Sequence, residues 1–468
     1  MSARAGLGSC KAEPLGLDLQ PEVRQDETLR LTPEPFYRTP MKEQSDQIDV
    51  LVVGGGVAGV CAAVQAARAG ARTMLVEKSS RLGGTLTNGG IAKPGLFHAW
   101  GRQVVAGIGW SLVEKTVEEG GGAMPDFADV SLPHWAHQPD ICGPLFAACC
   151  DEAVVEVGVD LRLHTMLAGL KRGRGAWRVV LCCKEGLRDV RASIVVDCTG
   201  DANAAALAGA KLRTPAVCQP ATLSFHLGGY DLAALDAAAL DAAYREAVKA
   251  GVLQPEDACW HVERPTVAGL LRKRGSNANH IVADASARTS AGRTKLEVEG
   301  RASVRRLVRW LRTQPGLADA QVESVSPEIG VRETATVVGR ETITAEDYVT
   351  GRFWPESVCH AFYPIDLHGL DTATWKQTFL APGRVPTVPR GALVAKGRPG
   401  LLMAGRILSS DRAANSALRV QATCMATGQA AGALAALAAK RGLDLVAVPM
   451  RDLRALLRRH GAIVPFGD

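Results

Sequence analysis

The sequence predicts an α/β protein built on a parallel sheet, and three stretches carry that expectation. Residues 49–78, DVLVVGGGVAGVCAAVQAARAGARTMLVEK, run from an apolar segment through a glycine cluster into an alanine-rich stretch and back to an apolar segment. Residues 159–198 hold further strand-like runs, and residues 401–440 pass again from an apolar run to a long small-residue helix. Strand-length apolar runs alternating with helical patterns are what crossover-connected parallel strands require.

The first stretch reads as a complete βαβ unit. Val50 to Val53 form a strand ending at Gly54-x-Gly56-x-x-Gly59. Gly54 permits the tight turn, Gly56 lets a pyrophosphate approach the backbone, and Gly59 lets helix pack on strand. Val57 and Ala58 open a helix whose unpaired N–H groups and positive dipole end suit phosphates. Gly70 stops that helix, and Thr73 to Val76 form a second strand ending in Glu77-Lys78. Glu77 lies 21 residues beyond Gly56, where a carboxylate accepts from ribose hydroxyls. The unit is therefore Rossmann-like.

Composition narrows the class of protein. The 468 residues are 47% hydrophobic and 22% charged, ordinary for a globular chain of two or three domains. A net charge of +6 is mild, and its basic residues are scattered. Arg305, Arg306, Arg309 and Arg312 read as a solvated helix face, so nucleic acid is not an expected partner. The 12 cysteines include no Cys-x-x-Cys and no His/Cys cluster with zinc or iron–sulfur spacing, so no metal is expected. They read as small core residues in a reducing compartment. No uninterrupted apolar run reaches membrane-spanning length, and the N-terminus lacks a secretory pattern. The expectation is a cytoplasmic protein with no membrane span.

The chain divides into four parts. Residues 1–45 are proline-rich and aperiodic, an extension expected to be partly disordered. Residues 46–213 form the first part of a dinucleotide-binding domain. Within it, Val104 to Glu119 and Gly143 to Val157 read as helices and Val159 to His164 as a strand. Trp177 to Cys183 and Arg188 to Cys198 read as a β-meander ending in Asp197-Cys198-Thr199-Gly200-Asp201. Residues 214–394 read as an inserted α+β substrate domain, with helices over Asp231 to Ala250 and Lys295 to Arg312. Residues 395–468 return to the first domain through the strand at Leu401 to Met403 and the helix Val420 to Lys440.

Three features favour FAD over NAD. Gly83-Gly84-Thr85 follows the βαβ closely, so backbone passes near an extended ligand a second time. Gly200 and Asp201 sit at the end of the meander, where they meet the ligand again. Gly405 and Arg406 end a late strand beside a helix whose start, at Arg419, Val420 and Gln421, faces the flavin pyrimidine. Its dipole and N–H groups stabilise negative charge on a reduced ring.

Across roughly residues 45–465 the chain resembles the FAD-dependent oxidoreductases related to the fumarate reductase and succinate dehydrogenase flavoproteins, within the glutathione-reductase-like superfamily. The segments that carry the resemblance are VVGGGVAG (52–59), RLGGTLTNGGI (81–91), QVVAGIGWSLVEK (103–115) and VVDCTGDANAAALAG (195–209) in the first half. GVRETATVVGRETITAEDY (330–348), YPIDLHG (363–369), LLMAGRILSS (401–410) and RVQATCMATGQAAGA (419–433) carry it in the second. The resemblance implies an FAD domain assembled from separated segments around an inserted substrate domain. Positions 81–96 contain no cysteine where disulfide reductases carry Cys-x4-Cys, and no second Gly-x-Gly-x-x-Gly follows, so dithiol chemistry is not implied. The same loop holds no histidine for covalent attachment, His98 being the nearest, so FAD is expected to be noncovalent. The superfamily's late Gly-Asp, whose Asp holds ribitol, is Gly405-Arg406 here, with Asp201 as the substitute.

Flavin chemistry leaves the protein to orient a substrate and manage one proton. By resemblance Arg332 faces the flavin, where a guanidinium clamps a carboxylate or polarises a carbonyl. Asp366 and His368 lie two apart in an extended segment and share a face, so the carboxylate can orient His368 as an acid or base. An ion pair of Arg332 with Glu333 or Glu341, and a hydrogen-bonded His368 at a domain junction, are the structural alternatives. His360, Asn277, Asn279 and His280 are lesser candidates, and His226 reads as structural. Asn415 and Ser416 suit a helix start beside the flavin, and Trp260, Trp354 and Trp375 suit either a pocket or the core. The function expected is hydride transfer between flavin N5 and a small or medium polar metabolite, with a separate electron acceptor or donor. Reduction of an activated C=C bond, a flavin oxidase or monooxygenase, and a non-catalytic FAD-binding subunit stand as alternatives.

Overall fold

In the computed structural model, which describes residues 47–258, 267–369 and 376–465, the chain begins with β1 (Gln47–Val53), α1 (Val57–Arg68) and β2 (Thr73–Val76). The expected N-terminal extension, Trp260 and Trp375 lie outside the described residues. Helices α2 (Ile108–Glu119) and α3 (Gly143–Glu156) follow. Then come strands β3 (Asp160–Arg162), β4 (Met166–Arg172), β5 (Trp177–Cys183) and β6 (Gly186–Asp197).

The sheet that holds these strands runs β3-β2-β1-β6-β5-β4. Its β3-β2-β1-β6 portion is parallel, with Val53 opposite Val76 on one side and Asp197 on the other. β5 and the first half of β6 form the antiparallel pair that the sequence predicts, and β4, which it does not predict, extends them into a three-stranded meander. A late strand pairs in parallel with Val195, Val196 and Asp197 of β6, beyond the end of β5. One long strand thus lends its edge first to the meander and then to the returning chain.

β1 is a continuous apolar run because both faces of the sheet are covered. Val50 and Val52 point into one core and Leu51 and Val53 into another, as the two-residue period of a strand dictates. The first core is closed by α1, α2 and α3 and by residues from Ile343 to Leu457. The second lies under the meander around Trp177.

A third core spans Cys218 to Val331. It is built on β7 (Phe225–Gly228), α4 (Ala237–Lys249), β8 (Gly275–Ser276), α5 (Ser290–Leu311) and β9 (Gln321–Val325), with β7 antiparallel between β8 and β9. The aspartate-rich stretch from Asp231 is not one helix. Asp231 caps a single 3-10 turn and Asp236 caps α4, each accepting from N–H groups ahead of it. Helix α5 starts before Lys295 because the Thr289 hydroxyl caps it at Gly292 N. Arg305, Arg309 and Arg312 are exposed as expected, but Arg306 is not simply solvated. It makes paired bonds to the buried Asp257 carboxylate at 3.1 and 2.9 Å.

The chain returns through β10 (Ile365–Leu367), β11 (Leu401–Met403), α6 (Arg412–Leu418) and α7 (Gln421–Arg441); β11 is the late strand on β6. Among the described residues α7 is the one helix long and apolar enough to cross a membrane, and 83% of that apolar window is buried within the protein. It lies on α1 at backbone distance: a Cβ on Gly428 would come within 2.1 Å of Ala58 O, and one on Gly432 within 2.2 Å of Ala62 O. Its small residues serve that contact.

Candidate active site

The open ends of β1, β6 and β11 converge on a cleft of about 890 Å³. Gly54, with φ of +101°, turns the chain from β1 towards α1. A Cβ on Gly59 would lie 1.8 Å from Gly54 O, so helix and turn touch there through backbone. Gly56 caps α1 without a side-chain partner and faces open space, leaving the helix's positive end to a ligand. Gly83 N donates to Gly55 O at 2.9 Å, which lays the second glycine segment against the first. Gly84, Thr85, Asn88 and Gly89 continue that wall.

Glu77 lines the cleft while its Oε2 accepts from Gly55 N at 2.6 Å and its Oε1 from Ser79 N at 2.8 Å. The carboxylate is thereby oriented before any ribose arrives. Lys78 reaches across the mouth to Glu328 at 2.6 Å. At the end of β6 the fully buried Asp197 accepts from Thr199 N, Thr199 Oγ1 and Ala205 N, which shapes the turn through Gly200. Burial raises its pKa, partly offset by those bonds.

Asp201 stands differently from the ribitol role given to it. Its Oδ1 accepts from Arg406 at 2.7 Å and Thr334 at 3.1 Å, and its Oδ2 from Arg293 at 2.7 Å. Burial pushes the carboxyl up, but the Arg406 and Arg293 guanidiniums hold it below the usual range. Arg406 also donates to Gly200 O at 2.5 Å. The pair closes one end of the cleft, and both residues line it.

Arg419 and Gln421 line the cleft at the start of α7. Val420 caps that helix without itself lining the cleft, and packs where a Cβ on Gly95 would sit. Arg419 Nε and Gln421 Oε1 are buried and find no partner among the described residues. Arg419 Nη2 donates to Gln219 Oε1 and to Asp366 O, and burial lowers its pKa.

Arg332, Tyr363, Asp366 and His368 gather around Arg419, which alone of the five lines the cleft. His368 Nε2 lies 3.0 Å from Asp366 Oδ2. Burial drives the imidazole pKa down to about 4 against the pull of Asp366. Arg332 donates to Pro220 O, Thr222 Oγ1 and Asn277 Oδ1, and burial with the neighbouring Arg419 pushes it down to about 9. Glu333 pairs with Arg412, and Glu341 accepts from Gly391 N. Tyr363 is pushed up to about 12, first by burial and then by Asp366.

Asn279 fixes Leu223 N through its Oδ1, and the His280 ring lies 5.7 Å from that of His368. Other candidates stand elsewhere. His360 is held beside Thr387 on a separate strand pair, His226 is exposed on β7, and His98 stacks on Phe127 at 3.8 Å away from the cleft. Asn415 ties Arg406 O to Ser410 Oγ, Ser416 Oγ accepts from Asp366 N, and Trp354 lies buried under Arg352. Sequence reasoning missed Arg293, Glu328 and Gln219, which come from stretches with no motif, and Asn88, which lies within the second glycine segment. Asp197 was readable, since a carboxylate ending a buried strand needs donors.

The cleft fits FAD: two glycine segments and an uncapped helix start face one space, and the residues Arg419 and Gln421 that line it carry buried polar atoms with no hydrogen-bond partner among the described residues. A family model described as FAD dependent oxidoreductase matches residues 49–457, and the chain belongs to that family. Its cofactor is FAD, and it is an enzyme. Over 56 residues it is 46% identical to leghemoglobin reductase of Glycine max and 45% identical to mitochondrial dihydrolipoyl dehydrogenase of Pisum sativum. Those matches cover 12% of this chain and only 11% of each relative. Among solved structures it is similar to a geranylgeranyl bacteriochlorophyll reductase-like protein of Thermoplasma acidophilum, with TM-score 0.43 and 14% identity over 89% of this chain and 84% of that one. It is also similar to p-nitrophenol 4-monooxygenase of Pseudomonas putida DLL-E4, with TM-score 0.40 and 12% identity over 88% and 84%.

Proposed function

We propose that the chain is a dehydrogenase that takes a hydride from a small or medium polar metabolite and passes the electrons to a separate acceptor. Bound FAD supplies the two-electron acceptor; Gly54, Gly56, Val57, Ala58, Glu77, Lys78, Gly84, Thr85, Gly200, Gly405 and Gln421 hold it, with Gly59, Gly83 and Val420 supporting that wall. Asp201 and Arg406 shape its end rather than bind ribitol directly.

The observation that carries the reading is the Asp366–His368 pair beside two buried guanidiniums. An ionised carboxylate only accepts, so the Asp366 contact places the proton of neutral His368 on Nε2 and fixes the ring's orientation. Its depressed pKa keeps it unprotonated across physiological pH. Arg332 and Arg419 supply positive charge for a carboxylate or a carbonyl oxygen in a dry site. The ten free cysteines among the described residues support a reducing, cytoplasmic setting.

The test is anaerobic mixing of the FAD-loaded protein with a metabolite panel while flavin absorbance is followed. A substrate that bleaches the flavin supports the dehydrogenase. With it, Arg332→Ala is expected to slow reduction roughly 100-fold, the loss of a charge-assisted anchor, and His368→Ala to slow it with FAD affinity kept. Equal loss of rate and FAD affinity would make both residues structural. A second reading follows the kinship we propose with fumarate reductase flavoproteins: the same arginines suit an activated C=C acid, and reoxidation of pre-reduced flavin by such an alkene would favour it.

A further inference from the structure

A second cavity of about 850 Å³ opens next to this cluster, and its walls are rings. His98 lies flat on Phe127, with centroids 3.8 Å apart and planes 5° apart. Trp100 meets Phe362 edge-on at 5.4 Å, and His134 meets Phe379 at the same distance. No Asp, Glu, Lys or Arg lines it among the described residues. Trp100, Val130, Leu132 and Phe379 at its mouth are 38%, 64%, 39% and 59% exposed. Apolar side chains left open around a concavity mark a binding site.

The cavity and the FAD cleft share one thin wall. Leu96 and Pro364 line the cavity, and their neighbours Gly95 and Tyr363 form the partition. A Cβ on Gly95 would reach Val420 Cγ1 at 2.0 Å and Tyr363 Cδ2 at 3.9 Å. Val420 stands between Arg419 and Gln421, which line the cleft on the far side. His134 packs edge-on against Tyr363 at 5.7 Å.

We propose that this cavity is a subsite for a planar, uncharged aromatic ring that forms the body of the substrate, whose polar end reacts beside Arg332 and His368. Ring binding stands on the cavity alone; its place in the substrate rests on the dehydrogenase reading above. Flat and edge-on ring partners reward an aromatic guest beyond its buried area, which a saturated one of equal size does not gain. A short, ring-lined concavity of this kind suits a small molecule. Of the three imidazoles that line it, His98 and His134 offer hydrogen bonds to a phenol or a heterocycle without charge, since burial lowers the pKa of both, His98 to about 4.

The experiment titrates the full-length, FAD-loaded protein with 1-naphthol and with decahydro-1-naphthol by calorimetry. 1-Naphthol is expected to bind at least tenfold more tightly. Leu132→Glu and Phe379→Glu, both at exposed positions, should each weaken it tenfold or more with FAD content and Tm unchanged. Equal affinity for the two alcohols, or undiminished binding in both variants, overturns the subsite. The redox reading is judged apart, by anaerobic bleaching with aryl-bearing and non-aryl alcohols and amines. Bleaching by non-aryl metabolites alone keeps the dehydrogenase and overturns the ring's place in its substrate. Naphthol binding without bleaching by any compound keeps the ring site and sinks the reading of its role.

Discussion

Tyr348 uses one hydroxyl twice: it donates to Tyr363 O at 2.8 Å and accepts from Tyr363 N at 3.0 Å. That clamp fixes where the segment towards Asp366 and His368 begins. Tyr348→Phe leaves two part-buried backbone groups without this partner and is expected to cost about 1–3 kcal/mol in a denaturant titration. His368 makes the fold sensitive to acid. Its folded pKa of about 4 lies below the ordinary 6.5, so the unfolded chain binds the proton first. Its contribution is complete above pH 6.5 and is lost as pH falls towards 4. Wild type is therefore expected to lose more Tm than His368→Gln between pH 7 and 5. The spacing of Asp366 and His368 was legible because a strand's alternation is local. The position of Gln219, whose Oε1 meets both His368 N and Arg419, was not, since it arrives from 149 residues away in sequence.

Among the elements, α7 tolerates substitution least. Gly428 and Gly432 set its distance from α1, so Gly432→Val must push two backbones apart. Overpacking of this kind is expected to cost about 3 kcal/mol or more, read as a lowered Tm together with loss of bound flavin. The alanine-rich sequence announced a buried helix, and the glycine spacing gave the reason it packs so closely. The start of α4 was less readable. Asp231 and Asp236 are equally good caps, and only packing of Leu240 and Tyr244 into the third core decides which one opens the longer helix.

For the whole molecule, the FAD cleft draws on residues from Gly54 to Cys424 and touches two of the three cores. Cofactor binding should therefore stabilise the molecule as a unit. At free FAD one hundred times Kd the gain is about 2.7 kcal/mol, so stripping the flavin is expected to lower Tm in a single transition. The Lys78–Glu328 pair spans the mouth but is partly solvated. Lys78→Ala is expected to change global stability by less than about 1 kcal/mol. It should speed FAD release at low salt, with the difference vanishing at high salt. The sheet and the dinucleotide turn were legible because each follows from a short run of residues. The arginine clamp on Asp201 was not, because Arg293 and Arg406 are brought there from separate parts of the chain.

The shared edge of β6 also sets an order of events on the ribosome. Translation delivers β1, α1 and β6 long before β11 and α7, so the nascent chain waits with an unpaired strand flank and an uncovered helix face. Until α7 has emerged, the face of α1 that carries Ala58 and Ala62 stays uncovered, although β1, α2 and α3 already hold its other sides.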